Sequence, residues 1–155
     1  MNNIECMFSR AAAMPPDELT RAVLQNTDFR RVLRTDCHVP RAATQLVAMC
    51  VHDDTGAEVH EDTAQYFLVK DGHGRAEFAS SAGRASYSVA IGPGSAWLVP
   101  PGVQHNVIAN SAQPPLKLLT IYFPPHHPPD RVDKTHADAQ EREAQKRAAA
   151  AVARV

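Results

Sequence analysis

Residues 94–105 read Gly-Ser-Ala-Trp-Leu-Val-Pro-Pro-Gly-Val-Gln-His, and their punctuation decides the fold class. Ala96 to Val99 reads as a short apolar strand, Pro100-Pro101-Gly102 as a stiff turn, and His105 to Ala109 as the next strand. Proline is excluded from helix interiors and central strands. With 12 prolines against 7 glycines, most of the prolines between residues 93 and 129, the middle of the chain must be short strands held apart by rigid turns.

The same reading extends in both directions. Phe29, Val32 and Leu33, then Leu46 to Val51, Glu58 to His60, Tyr66 to Lys70, Arg75 to Ala79, Tyr87 to Ile91 and Leu116 to Phe123 are further strand candidates. Asp53-Asp54-Thr55-Gly56, Asp71-Gly72-His73-Gly74, Gly92-Pro93-Gly94 and Gln113-Pro114-Pro115 mark turns between them. Eight or nine short strands with this spacing predict an all-β sandwich or barrel. Before it, Pro15-Pro16-Asp17-Glu18 starts a helix with apolar Leu19, Ala22 and Val23 on one side. After it, Tyr122 to Asp133 reads as an extended strap, and Thr135 to Arg154 as a helix with a weak alanine face. The organisation expected is a helical arm (1–25), a barrel (26–133) and a helical tail (134–155).

At 155 residues, one domain buries roughly 70% of its unfolded-chain surface, enough for a real core. Sixteen basic against 17 acidic residues give a net charge of −1, which argues against nucleic-acid binding. No apolar run approaches the ~20 residues that span a bilayer, so no membrane is expected. The N-terminus lacks the charged and apolar regions of a secretory signal, and Cys6, Cys37 and Cys50 lack metal-knuckle spacing. Free thiols in the cytoplasm follow as the expectation.

Candidate chemistry centres on histidine. In a strand, Glu58 and His60 project to one face. Gln65 has the opposite parity and joins them only if the chain turns a corner through Glu61-Asp62-Thr63-Ala64, after which Gln65, Phe67 and Val69 share an inward face. His105 shares a face with Val107 and Ala109. Asp62 falls at the corner and is assigned to solvent. His126-His127 lies in a surface strap, where neighbours point opposite ways and at most one could enter a site. His38, His73 and His136 are read as surface residues, Trp97, Tyr66 and Phe67 as core, and Cys50 as inert packing. Arg30, Arg31 and Arg34 form a solvated face, and the Tyr122 hydroxyl could reach the barrel mouth.

Glu58-x-His60-(x4)-Gln65-(x6)-Gly72 resembles the first cupin motif, and Gly94-(x5)-Pro100-x-Gly102-(x2)-His105 resembles the second. Asn26 to Leu33, Val59 to Phe67 and Leu119 to Pro128 are similar to small one-domain cupins labelled mannose-6-phosphate-isomerase-like. The resemblance implies a jelly-roll barrel, commonly paired as a homodimer, whose interior binds a divalent metal ion through three histidines and a glutamate. Carried over, the ligands are Glu58, His60, Gln65 and His105. Glu58 stands where the pattern has histidine and Gln65 where it has glutamate, and an amide oxygen is a poorer ligand than a carboxylate.

Two imidazoles and a carboxylate are the ligand types of the non-haem iron triad, although iron, manganese, nickel and zinc all remain open. The expected ligand is a small molecule, with a sugar or sugar-phosphate isomerase first, an iron oxygenase second and a non-catalytic sensor third. Without a metal, burial is expected to raise the Glu58 pKa and make it an acid or base.

Overall fold

The computed structural model describes residues 16–36, 43–79 and 86–152. Its elements are α1 (Pro16–Gln25), β1 (Arg30–Asp36), β2 (Thr44–Val51), β3 (Ala64–Asp71), β4 (Gly74–Ala79), β5 (Ser86–Ile91), β6 (Ala96–Val99), β7 (Gln104–Ala109), β8 (Leu116–Phe123), β9 (Val132–Asp133) and α2 (His136–Val152). Antiparallel pairing arranges them as a six-stranded sheet, β6-β3-β8-β2-β1-β9, and a three-stranded sheet, β5-β4-β7. This is the jelly-roll arrangement, two sheets enclosing one core. Cys6, Cys37 and His38 lie outside the described residues.

Strand alternation builds that core. Met49 and Val51 on β2, Phe67 and Val69 on β3 and Leu116 and Leu118 on β8 face Ala76 and Val107 of the smaller sheet. Each large apolar side chain buried this way contributes about 1.5–3 kcal/mol. On the opposite face of the large sheet, Ala48 and Leu119 form a second cluster with Val23 of α1. α1 opens with Asp17 and Glu18 in its first turn, favourable to the helix dipole, and buries Val23. At the β3–β4 turn Gly72 has φ +81°, and a Cβ there would lie 2.7 Å from the Pro115 carbonyl oxygen, so only glycine fits.

Two expected elements change. Glu58 to His60 is not a strand. Glu58 makes a single antiparallel bridge with His105, through paired backbone hydrogen bonds of 2.9 and 3.0 Å. The pairing is too short to propagate because the chain turns at Glu61-Asp62, both exposed. The strap, in turn, ends in a strand: Val132 and Asp133 pair with Arg31 and Arg30 at the edge of the large sheet. α2 then starts at a reciprocal cap, in which Thr135 N–H donates to Asp138 (2.9 Å) and Asp138 N–H to Thr135 (3.1 Å). α2 buries Ala139.

Candidate metal centre

Three donors converge inside the barrel. One ligand atom each from Glu58, His60 and His105 lies within 4.8 Å of the others, and this is the group of three that could hold a metal ion among the described residues. The bridge to β7 aligns Glu58 with His105, and Gly102 N–H donates to the His60 carbonyl at 2.9 Å, so the Pro-Gly turn fixes His60 as well. His105 Nδ1 lies 3.1 Å from the Val103 carbonyl. A carbonyl can only accept, so Nδ1 carries the proton and neutral His105 presents its Nε2 lone pair to the interior. His60 Nε2 is buried without a hydrogen-bond partner, 3.5 Å from Glu58 Oε2. An orphaned buried nitrogen beside a carboxylate oxygen and a second imidazole is a donor set that fits a divalent ion.

The Glu58 carboxylate behaves opposite to expectation. Burial pushes its pKa up, but the His60 contact, the Arg30 guanidinium and His105 outweigh burial and hold it at about 2. After the His60 contact, the next partner is Arg30, whose Nη2 donates to Glu58 Oε1 at 3.2 Å. Arg30 is not part of a solvated face: its side chain is 1% exposed and also faces Asp133, itself fully buried, at 3.6 Å. Arg31 does fit that description, pairing at the surface with Asp28. Parity carried the missed signal, because Arg30 precedes inward-packing Val32 by two residues. With Oε1 engaged by Arg30, Oε2 is the oxygen turned to the histidines.

Gln65 is fully buried, and all its polar atoms are engaged. The amide oxygen faces His105 Nε2 at 3.0 Å, and the nitrogen faces Thr120 Oγ1 at 2.9 Å and Tyr122 Oη at 2.8 Å. Burial lowers the His105 pKa, against the Val103 bond that raises it, so the ring is neutral. The amide oxygen and the Nε2 lone pair are then both acceptors. The contact closes when the amide is turned over, its NH2 donating to His105 and its oxygen accepting the two hydroxyl protons. In the metal-free protein Gln65 therefore covers the lone pair that a metal would use, and an ion binding at His105 displaces that one contact of the amide. Tyr122 directs its hydroxyl to Gln65 rather than the barrel mouth, and burial raises its pKa.

The strap is exposed at Pro124 and from Pro128 to Asp130, but it turns His126, half-buried, and His127, buried, towards the barrel. Gln45, on β2, receives the His127 N–H at 3.0 Å and donates to the His127 carbonyl at 2.7 Å. Both histidines therefore pack inward. The His126 ring lies 4.4 Å from that of His60 and stacks on Tyr122 at 5.7 Å, while His127 meets Tyr122 edge-on at 5.0 Å. His136 is also partly buried, stacked 4.8 Å from Phe29. Asp62 and His73 are exposed, Phe67 is core, and Tyr66 and Trp97 are half-buried, Trp97 stacked on Phe67. Cys50 is buried, though Lys117 Nζ lies 3.2 Å and His52 Nε2 3.6 Å from its sulfur.

Burial first, then His60, lowers the His126 pKa from 6.5 to about 4, and burial lowers that of His127 further. The unfolded chain therefore takes up protons before the folded one, and stability falls as pH drops from about 6.5 towards 4. The metal-free protein is expected to show a falling thermal unfolding midpoint across that window. A flat profile would contradict the burial of the strap histidines.

Residues 45–122 match the cupin domain family, and the chain belongs to it. It is 36% identical over 121 residues to the uncharacterized protein YrkC of Bacillus subtilis strain 168, covering 78% of this chain. The chain spans under two thirds of the curated relatives it matches, 63% of YrkC. Among solved structures it is similar to BH2720 from Bacillus halodurans, with 28% identity, a TM-score of 0.66 and coverage of 79% of this chain and 90% of that one. Oxalate decarboxylase from Lactobacillus farciminis shares the fold at 20% identity, with a TM-score of 0.52 over 64% of this chain and 29% of that one.

Proposed function

We propose that this cupin domain is a metal-dependent enzyme acting on a small polar molecule, with the ion held by His60, His105 and the Oε2 oxygen of Glu58. The observation that carries this reading is the convergence of those three donors around a buried, unpartnered His60 nitrogen. When bound, the ion supplies a Lewis acid that polarises a substrate oxygen. The chain's own contribution is orientation: Val103 fixes the His105 tautomer and Arg30 fixes which carboxylate oxygen is free.

Two finer readings differ in what supports them. The sugar or sugar-phosphate isomerase reading rests on resemblance to mannose-6-phosphate-isomerase-like cupins, and it needs a base for the α-proton. Glu58, held at about 2, is a weak acceptor at neutral pH. The oxygenase reading is favoured by the donor set itself, two imidazoles and one carboxylate, with Gln65 also held by Thr120 and Tyr122. A homodimer is part of the same proposal, and the exposed edge strand β5, with Tyr87 60% exposed, is consistent with it.

Elemental analysis of untagged protein beside a His105→Ala variant tests the metal. Near-stoichiometric metal, lost in the variant, is the expected result. No metal after exposure to iron, manganese, nickel and zinc would overturn the reading.

A further inference from the structure

We propose that His126, on the C-terminal strap, is a fourth protein ligand of this site, in the role that Gln65 would otherwise fill. The inference rests on the metal-binding reading above and adds a ligand that neither cupin motif contains.

Gln65 is committed. Its oxygen is taken by the Thr120 and Tyr122 hydroxyls and only its NH2 faces His105, so once an ion displaces that contact a coordination position on the side of His60 is open to another donor. Among the described residues His126 is a further imidazole beside His60, although its ring nitrogens stand outside the set of donor atoms that lie within 4.8 Å of one another. Its ring is 4.4 Å from His60, nearer than the 5.4 Å between His60 and His105 themselves. Two imidazoles on one ion at ~2.0–2.1 Å hold their donor nitrogens only about 3 Å apart, which rings this close can reach with a side-chain rotation. No hydrogen bond joins either ring nitrogen of His126 to a described residue, and the ring is only partly buried.

The strap holds the ring in place. The two Gln45–His127 backbone bonds pin the segment at the next residue, and the Tyr122 ring supports one face of His126 at an interplanar angle of 17°. His127 is excluded from the role: its ring packs against Tyr122 and His126, and among the described residues it makes no ring contact with His60 or His105.

Ligand composition gives the placement chemical sense. The cupin pattern supplies three histidines and one glutamate. Here the first histidine position holds Glu58 and the glutamate position holds Gln65. The carboxylate has moved to residue 58, and His126 restores the third imidazole from outside both motifs. The set of donors is the same, drawn from different places in the chain.

The test compares wild type, His126→Phe and His126→Ala, with exposed His73→Ala as a surface control. Zinc affinity is measured by competition with a chromophoric chelator, and the visible spectrum of the cobalt(II)-loaded protein reports the donors. His126→Phe keeps an aromatic ring against Tyr122 but cannot ligate. Both His126 variants are expected to bind zinc at least about tenfold more weakly and to shift the cobalt bands. Added imidazole is expected to restore the wild-type bands in His126→Ala. Unchanged affinity and superimposable spectra would overturn the assignment. So would weaker binding with unchanged bands and no imidazole rescue, which would make the ring a support for the strap. Wild type that binds neither ion removes the metal reading and this one together, whereas wild type that binds both with indifferent His126 variants removes this one alone.

Discussion

Arg30→Met is expected to cost about 3–5 kcal/mol of folding stability, the usual penalty for removing one partner of a buried ion pair. Methionine fills much of the space of arginine, so packing is not the main loss. The loss is electrostatic. Asp133 is fully buried and keeps Arg131 at 2.8 Å and Arg142 at 3.1 Å as partners, while Glu58 loses the cation that holds one of its oxygens. The two remaining arginines on Asp133 place the expected value near the lower end of that range. Urea unfolding measures it, and the denaturant slope should not change if the substitution alters stability alone. A loss under ~1 kcal/mol would mean that the pair is marginal. The variant carries a second signature. Glu58 adds stability above pH 4.5 that is lost as pH falls towards about 2. Without Arg30 its pKa rises, and that acid limb moves up in pH.

Gln65→Glu is expected to tighten divalent-metal binding by at least about tenfold at pH 7, or about 1.4 kcal/mol. At an effective dielectric near 20, a carboxylate about 4 Å from a cation gains on the order of 4 kcal/mol for each unit of metal charge. Burying that carboxylate costs several kcal/mol, so only part of the gain survives. The same cost should appear without metal. The metal-free variant is expected to unfold at a lower temperature than wild type, by ~2–4 °C per kcal/mol for a chain of this size, and to recover when metal is added. Chelator competition and thermal scans with and without zinc measure both effects. Unchanged affinity would show that residue 65 does not face the ion.

Both predictions turn on residues that the sequence exposes unequally. Gln65, Phe67 and Val69 could be assigned an inward face from alternation alone, and all three are buried. His105 follows from the Pro100-Pro101-Gly102 turn, and β6 and β8 begin and end at the expected residues. Glu58 and His60 reach the same site although they form no strand, because the corner at Glu61-Asp62 and one bridge do the work assigned to alternation. The protonation of Glu58 was misjudged because the contacts that offset its burial form only in the folded chain, among them Arg30, 28 residues earlier.

The sequence by itself determined most of the strands, the turns between them and the inward positions of Gln65 and His105. Side-chain alternation and the backbone limits of proline and glycine are local, so they can be read from neighbours along the chain. Only the tertiary structure decided the charge state and completeness of the site. Arg30 turns inward to buried Asp133 because β9 closes on β1, and His126 meets His60 because Gln45 hydrogen-bonds to the strap 82 residues away. Electrostatic and ligand contacts depend on distance in space, and no local pattern records which distant segments will be brought together.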